Sequence, residues 1–232
     1  MKNSFYNVQN YYLQKSVQDV VDEYSKSVVA FSNDYEKCKW GSRQGMMNRF
    51  GLALGMIEWQ SVANWLDIGC GPGNFFQVYD EVAERMISRV GIDITPGMIQ
   101  AAQRKTYSMN TQFVLSDFED YLSDGSAEFD LITMIGVLQQ CNVEPGRAFS
   151  LCSENLRDGG QLFITTKNIK WNAFKKDGFI PEKGHAWFDP DNLVTSLKEA
   201  GFREIHCDGF LPRENRIVEC NASHTVFFHC RR

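Results

Sequence analysis

The 232-residue chain has no apolar run approaching the roughly 18 residues that a membrane-crossing helix needs. Met1 to Asn10 contains no apolar signal core, so a cytoplasmic protein is expected. Basic residues are not in excess: 24 Lys and Arg stand against 29 Asp and Glu, a net charge of −5. That argues against bulk nucleic-acid binding, which wants a basic face. The seven cysteines form no C-x-x-C pair and have no spacing with histidine suited to zinc, so no metal site is expected. Their odd count, with Cys70 inside a glycine-rich turn, reads as reduced thiols. Neither repeats nor a low-complexity linker interrupt the chain, and 43% hydrophobic residues can fill a sizeable core. One α/β domain, with or without a cap, fits these totals.

What the chain does contain is an apolar run from Val62 to Ile68, long enough for one buried parallel strand. Three glycines at alternate positions follow, Gly69, Gly71 and Gly73, and then a helix-like segment. A strand, a tight glycine turn and a helix make the nucleotide-binding corner of a doubly wound sheet. Glycine tolerates positive φ there and lets a ligand approach the backbone. The spacing departs from the dinucleotide fingerprint G-x-G-x-x-G, because Asn74 occupies the place of its third glycine. With no Gly-Lys-Ser/Thr, a P-loop is excluded as well.

The string Leu66-Asp67-Ile68-Gly69-Cys70-Gly71-Pro72-Gly73 closely resembles motif I of the class I S-adenosylmethionine methyltransferases. Gly91 to Met98 resembles their second motif, and Gly136 to Cys141 their fourth. The resemblance implies a Rossmann-like α/β fold: a doubly wound, mostly parallel seven-stranded sheet ending in an antiparallel hairpin. It implies S-adenosylmethionine as methyl donor and S-adenosylhomocysteine as product. On this reading Asp67 takes the ammonium of the amino-acid tail, and Gly69, Cys70, Gly71 and Gly73 form the turn beneath it. Asp93, followed by Ile94, accepts both ribose hydroxyls, with Met98 near the adenine. Asp117 accepts the adenine amine, the Phe118 amide donates to the ring, and Ile135 and Gly136 underlie the methionine part. Ahead of motif I, Trp40, Gly41, Ser42, Arg49 and Phe50 resemble a segment that closes over the donor. Arg49 or Arg43 would pair with its carboxylate, and Trp40 would face the sulfonium.

The remaining elements follow from periodicity. Val17, Val20, Val21, Tyr24 and Val28 suggest an N-terminal helix, and Leu52, Met56 and Trp59 suggest another within 44–60. A helix is expected over 75–89, with Phe76, Tyr79, Val82, Ala83, Met86 and Ile87 on its inner face. Strands are expected at 89–94, 111–115, 129–135, 161–166, 202–208 and 225–230. Two units result: a helical cap over 1–58, and a methyltransferase domain over 59–232 with an aromatic active-site insertion at 167–188. His185, inside that insertion, is the first candidate for a general base. Tyr12 and Gln140 are candidates for hydrogen-bonding an acceptor; a Gln cannot itself serve as a base. Arg213 to Arg216 read as water-facing. The expected reaction is in-line methyl transfer to O or N of a small-molecule acceptor, by a monomer or homodimer. No Asn/Asp-Pro-Pro-Tyr/Phe motif for base amines is present, which lowers the nucleic-acid alternative. A protein methyltransferase and a non-catalytic donor-binding fold also stay open.

Overall fold

The computed structural model describes residues 15–83, 85–123, 125, 128–140, 143–175 and 184–232. The strands are β1 (Asn64–Ile68), β2 (Ser88–Asp93), β3 (Thr111–Leu115), β4 (Phe129–Ile135), β5 (Leu156–Lys167), β6 (Arg203–Leu211), β7 (Arg216–Val218) and β8 (Thr225–Arg231). They form one sheet in the order β3-β2-β1-β4-β5-β8-β6-β7. The first five pair in parallel; β8 pairs antiparallel with both β5 and β6, and β7 antiparallel with β6.

Neighbouring residues on the central strands point to opposite faces, and both faces are dry. Leu66, Ile132, Ile164 and Phe228 enter one core with Phe149, Leu151, Leu193 and Leu197. Their chain neighbours Trp65, Leu131, Phe163 and Phe227 enter the other with Phe50, Phe75, Phe76 and Tyr79. The first core is covered by α7 (Pro145–Asn155) and α8 (Pro190–Glu199), the second by α3 (Arg43–Met56) and α4 (Asn74–Val82). The remaining helices are α1 (Val17–Ala30), α2 (Asp34–Lys37), α5 (Pro96–Gln103) and α6 (Phe118–Leu122). Starts are set locally: Ser16 and Asp19 close a capping box on α1, and Asp189 caps α8 ahead of Pro190.

Two boundaries differ from expectation. Helix α4 stops at Val82, and Val82 and Met86 are exposed rather than inward-facing. Buried Arg89 draws the chain into β2: it donates to Asp80 Oδ1 at 2.6 Å, to the Phe76 carbonyl at 3.1 Å and to Thr111 Oγ1 at 2.7 Å. The sheet has eight strands, not seven, because the long join after β6 folds back on it as β7. Asn215, at φ 51°, makes the turn, and Gly209 lets the returning backbone approach. A Cβ on Gly209 would lie 2.6 Å from the Glu219 carbonyl oxygen.

Candidate active site

The chain passes from β1 to β2 and β3 on one side, then returns to β4 on the other. A crevice opens at the carboxyl ends of β1 and β4, where such sheets bind ligands. The glycine turn sits there with positive φ at each of its three glycines: 67° at Gly69, 54° at Gly71 and 73° at Gly73. Asp93 ties the end of β2 to this turn. Its Oδ2 accepts from the Gly71 amide at 3.0 Å and its Oδ1 from the Thr95 amide at 2.8 Å. Asp67 is buried and accepts from Thr133 Oγ1 at 2.6 Å.

These groups line a cavity of about 640 Å³. Its wall brings together Trp40, Arg49, Asp67, Gly69, Cys70, Gly71, Asp93, Ile94, Met98, Asp117, Phe118, Ile135, Gln140 and His185. Three named residues stand apart. Gly73 is buried at the start of α4, where a Cβ would lie 2.2 Å from Tyr107 Oη, so packing alone demands glycine there. Arg43 is exposed at the first turn of α3 and does not reach the cavity. Tyr12 lies outside the described residues. Asp117 is also the N-cap of α6, its Oδ1 accepting from the Glu119 amide at 2.8 Å.

Charge in the cavity follows from burial. It pushes the Asp67 carboxyl up to about 7; the Thr133 hydrogen bond opposes this and the nearby Asp93 charge adds to it. Burial also raises Asp93, against the two backbone amides that hold it. Arg49 lies 4.6 Å over the Trp40 ring and donates to the Gly45 carbonyl at 2.8 Å and to Thr225 Oγ1 at 3.4 Å. No carboxylate among the described residues replaces its lost hydration, and burial draws its pKa down to about 10. Cys38 is pushed up to about 12 by burial, then by Asp93, so this thiol stays protonated. Trp40 packs on the bare backbone of Gly136, where a Cβ would lie 2.7 Å from Cη2.

At the other end of the cavity the Gln139 carbonyl accepts from the Ala186 amide at 2.8 Å, which sets His185 beside Gln140. Gln139 and Thr166 belong to this wall, and their Oε1 and Oγ1 atoms are buried without a hydrogen-bond partner among the described residues. Four further wall residues are Lys167, at the start of the expected insertion, Arg213 and Glu214, read from the sequence as water-facing, and His224. Lys167 and Thr225 are register partners across β5 and β8, and His224 Nδ1 is 2.8 Å from Thr225 Oγ1. Only the placement of β8 against β5 brings these together, and no local pattern announces it. Arg213 and Glu214 are exposed at the end of β6 yet still border the cavity.

The donor set suits an adenosyl amino acid: three carboxylates for ammonium, diol and amine, and a guanidinium without an acid for a carboxylate. Fold and site together define an α/β nucleotide-cofactor enzyme of the Rossmann-like class. The methyltransferase domain family matches residues 33–206, and the chain belongs to that family. It is a class I methyltransferase, an enzyme with S-adenosylmethionine as its methyl donor. A ubiquinone biosynthesis O-methyltransferase from Xylella fastidiosa (strain 9a5c) is 31% identical over 186 residues, covering 73% of this chain and 74% of that one. The N-methyltransferase NodS from Bradyrhizobium japonicum WM9, solved with S-adenosylhomocysteine, shares the fold at a TM-score of 0.61 and 19% identity. The match covers 91% of this chain and 97% of NodS. So does the [4+2]-cyclase SpnF, at 0.68 and 18%, covering 95% and 98%. One fold thus serves O- and N-transfer and a cyclisation, so the acceptor must be argued from the site.

Proposed function

We propose that the protein methylates an oxygen of a small hydroxylated molecule. The observation that carries this is the cavity itself. It runs from the carboxylate-lined glycine turn to an end walled by Gln139, Gln140, Thr166 and His185. Cofactor and ligand sites of this kind run about 300–1,000 Å³, and 640 Å³ suits a donor with a compact acceptor rather than a polymer groove. Similarity to an O-methyltransferase supports oxygen as the acceptor atom.

Within this reading Asp93 holds the ribose hydroxyls, since each carboxylate oxygen keeps a lone pair beyond its backbone bond. Asp67 holds the ammonium, Asp117 and the Phe118 amide read the adenine, and Arg49 holds the carboxylate. Residues 1–58 act as the cap, with Trp40 and Arg49 closing the donor end. When bound, S-adenosylmethionine would supply a methyl already activated on a sulfonium, for in-line transfer to an aligned nucleophile with S-adenosylhomocysteine as the leaving group. His185 takes the acceptor proton and Gln140 orients the hydroxyl, so the chain's own work is alignment, proton removal and exclusion of water.

Titration calorimetry with S-adenosylhomocysteine should give micromolar-range binding, and Asp93→Ala should weaken it by at least about tenfold. Unchanged affinity in that variant would remove this placement of the donor. Incubation of extracts with methyl-labelled donor should place the label in ethers or esters; label recovered in amines would overturn the O-acceptor reading.

A further inference from the structure

Two cysteines outside the cavity meet at the edge of the sheet. Strand β7 ends at Val218, and the chain continues beside β6 into a 3-10 turn over Cys220–Ala222. The antiparallel register pairs Leu211 with Arg216, Phe210 with Ile217 and Gly209 with Val218. Continued two residues further, it sets Cys220 across from Cys207, and the two sulfurs lie 3.7 Å apart. Residues opposed on antiparallel chains have Cα atoms about 4.5–5.5 Å apart, inside the roughly 4.4–6.8 Å that a disulfide spans. Both thiols are free and half-buried, packed against the margin of the first core.

Other described cysteines are placed for packing. Cys70, Cys152 and Cys230 are buried, and burial pushes Cys38 and Cys152 up to about 12. Cys220 moves the other way: its hydrogen bond with the Cys207 thiol draws it below its ordinary value, against burial. An accessible thiol that ionises readily beside a second thiol is suited to exchange with disulfides.

This edge is wired to the cavity wall. The buried Asn168 side chain donates from Nδ2 to the Cys220 carbonyl and, at 2.9 Å, to the Ser223 carbonyl. The Asn168 amide donates to the His224 carbonyl at 3.0 Å, and the Ser223 hydroxyl donates to the Phe210 carbonyl of β6. Cys220 therefore begins the segment that carries His224 and Thr225 to the cavity.

We propose that Cys207 and Cys220 form a thiol–disulfide exchange site whose oxidant is a low-molecular-weight disulfide, and that its closure fixes residues 220–225 to β6. The Cys220 thiolate attacks one sulfur of the small disulfide, forming a mixed disulfide and expelling one thiolate. The Cys207 thiol gives up its proton to that thiolate and attacks the Cys220 sulfur, expelling the second. Two protein thiols are oxidised and one small disulfide is reduced to two thiols, so atoms and electrons balance. In a reducing compartment the site is open, and it closes as the thiol–disulfide balance shifts. It stands independently of which atom the enzyme methylates.

The whole reduced chain, equilibrated with glutathione disulfide at rising ratios to glutathione, tests this. Two of the seven thiols should become closed to alkylation after unfolding, and dithiothreitol should reopen them. Tryptic peptides should be joined through Cys207 and Cys220, with fragmentation placing the bridge on Cys220 rather than Cys230. Closure of this 13-residue separation should raise Tm by at least about 3 °C. It should also slow hydrogen exchange over 220–225. Cys207→Ser should trap the glutathione adduct on Cys220, and Cys220→Ser should react more slowly. The linkage measurement needs no variant, so a poorly folding one leaves the test intact. The inference is overturned if all seven thiols stay open to alkylation or if the bridge joins another pair. It is equally overturned if closure fails to raise Tm and slow that exchange, or if Cys220→Ser takes up glutathione faster than Cys207→Ser.

Discussion

On the proposed placement of the donor, Asp67 is the residue whose ionisation binding changes. Burial holds its carboxyl up at about 7, against an ordinary aspartate value of about 4. A raised carboxylate pKa favours the fold below the unfolded value and loses that contribution as pH rises through the folded one. Between pH 4 and about 7 the free protein should therefore lose stability through this group. An ammonium held by Asp67 needs the ionised form, so donor binding expels a proton when pH is below about 7. Calorimetry at pH 6 in two buffers of different ionisation enthalpy should report release of up to about one proton on S-adenosylhomocysteine binding. Affinity should fall towards tenfold per pH unit below that pKa. Asp67→Asn should abolish the release and flatten the pH profile; persistence of both in that variant would assign the proton elsewhere, with Asp93 the next group to examine.

At the scale of an element, the β1–turn–α4 unit depends on the missing side chain of Gly69 for two separable reasons. Its φ of 67° disfavours any Cβ, and a Cβ would also lie 2.3 Å from Val137 Cγ2. Gly69→Ala should cost about 2–4 kcal/mol and lower Tm by about 5–15 °C. Adding Val137→Ala should restore only part, because the contact is relieved and the backbone strain is not; a thermal-unfolding cycle of the four proteins measures each share. This unit was legible because all its signals are local: an apolar run for a strand buried on both faces, then glycines where φ must be positive. The far end of α4 was not. Its apolar period continues through Met86, but Arg89 donates hydrogen bonds to Asp80, Phe76 and Thr111, acceptors that only the folded sheet assembles. For the same reason β7 escaped notice, being three residues long and dependent on Gly209 accepting a close backbone.

For the whole molecule, the donor half of the site is a property of the first 140 residues, and the acceptor half is a property of topology. Asp67 and Asp93 lie at the carboxyl ends of β1 and β2, and Asp117 lies just past β3, so their convergence could be read from strand ends alone. Lys167 ends β5, Arg213 follows β6 and His224 precedes β8, and they share one wall because β8 inserts between β5 and β6. Helix α3 couples the two sides of the cavity, since its Arg49 touches Trp40 on one side and Thr225 of β8 on the other. A ligand that engages Arg49, Asp67 and Asp93 together therefore binds cap, β1, β2 and, through Thr225, β8 in one step. Binding to the folded state alone stabilises by about 2.7 kcal/mol at a hundredfold excess over Kd. For a chain of this size that corresponds to a rise in Tm of roughly 5–11 °C. The same excess at pH 6, set by concentration rather than by saturation, should give a smaller rise, because part of the binding energy then goes into deprotonating Asp67. Hydrogen exchange should show the protection spread across residues 40–50, 69–74 and 224–226 at once. Protection confined to the glycine turn would mean that the cap does not close on the donor, and that Arg49 serves the acceptor instead.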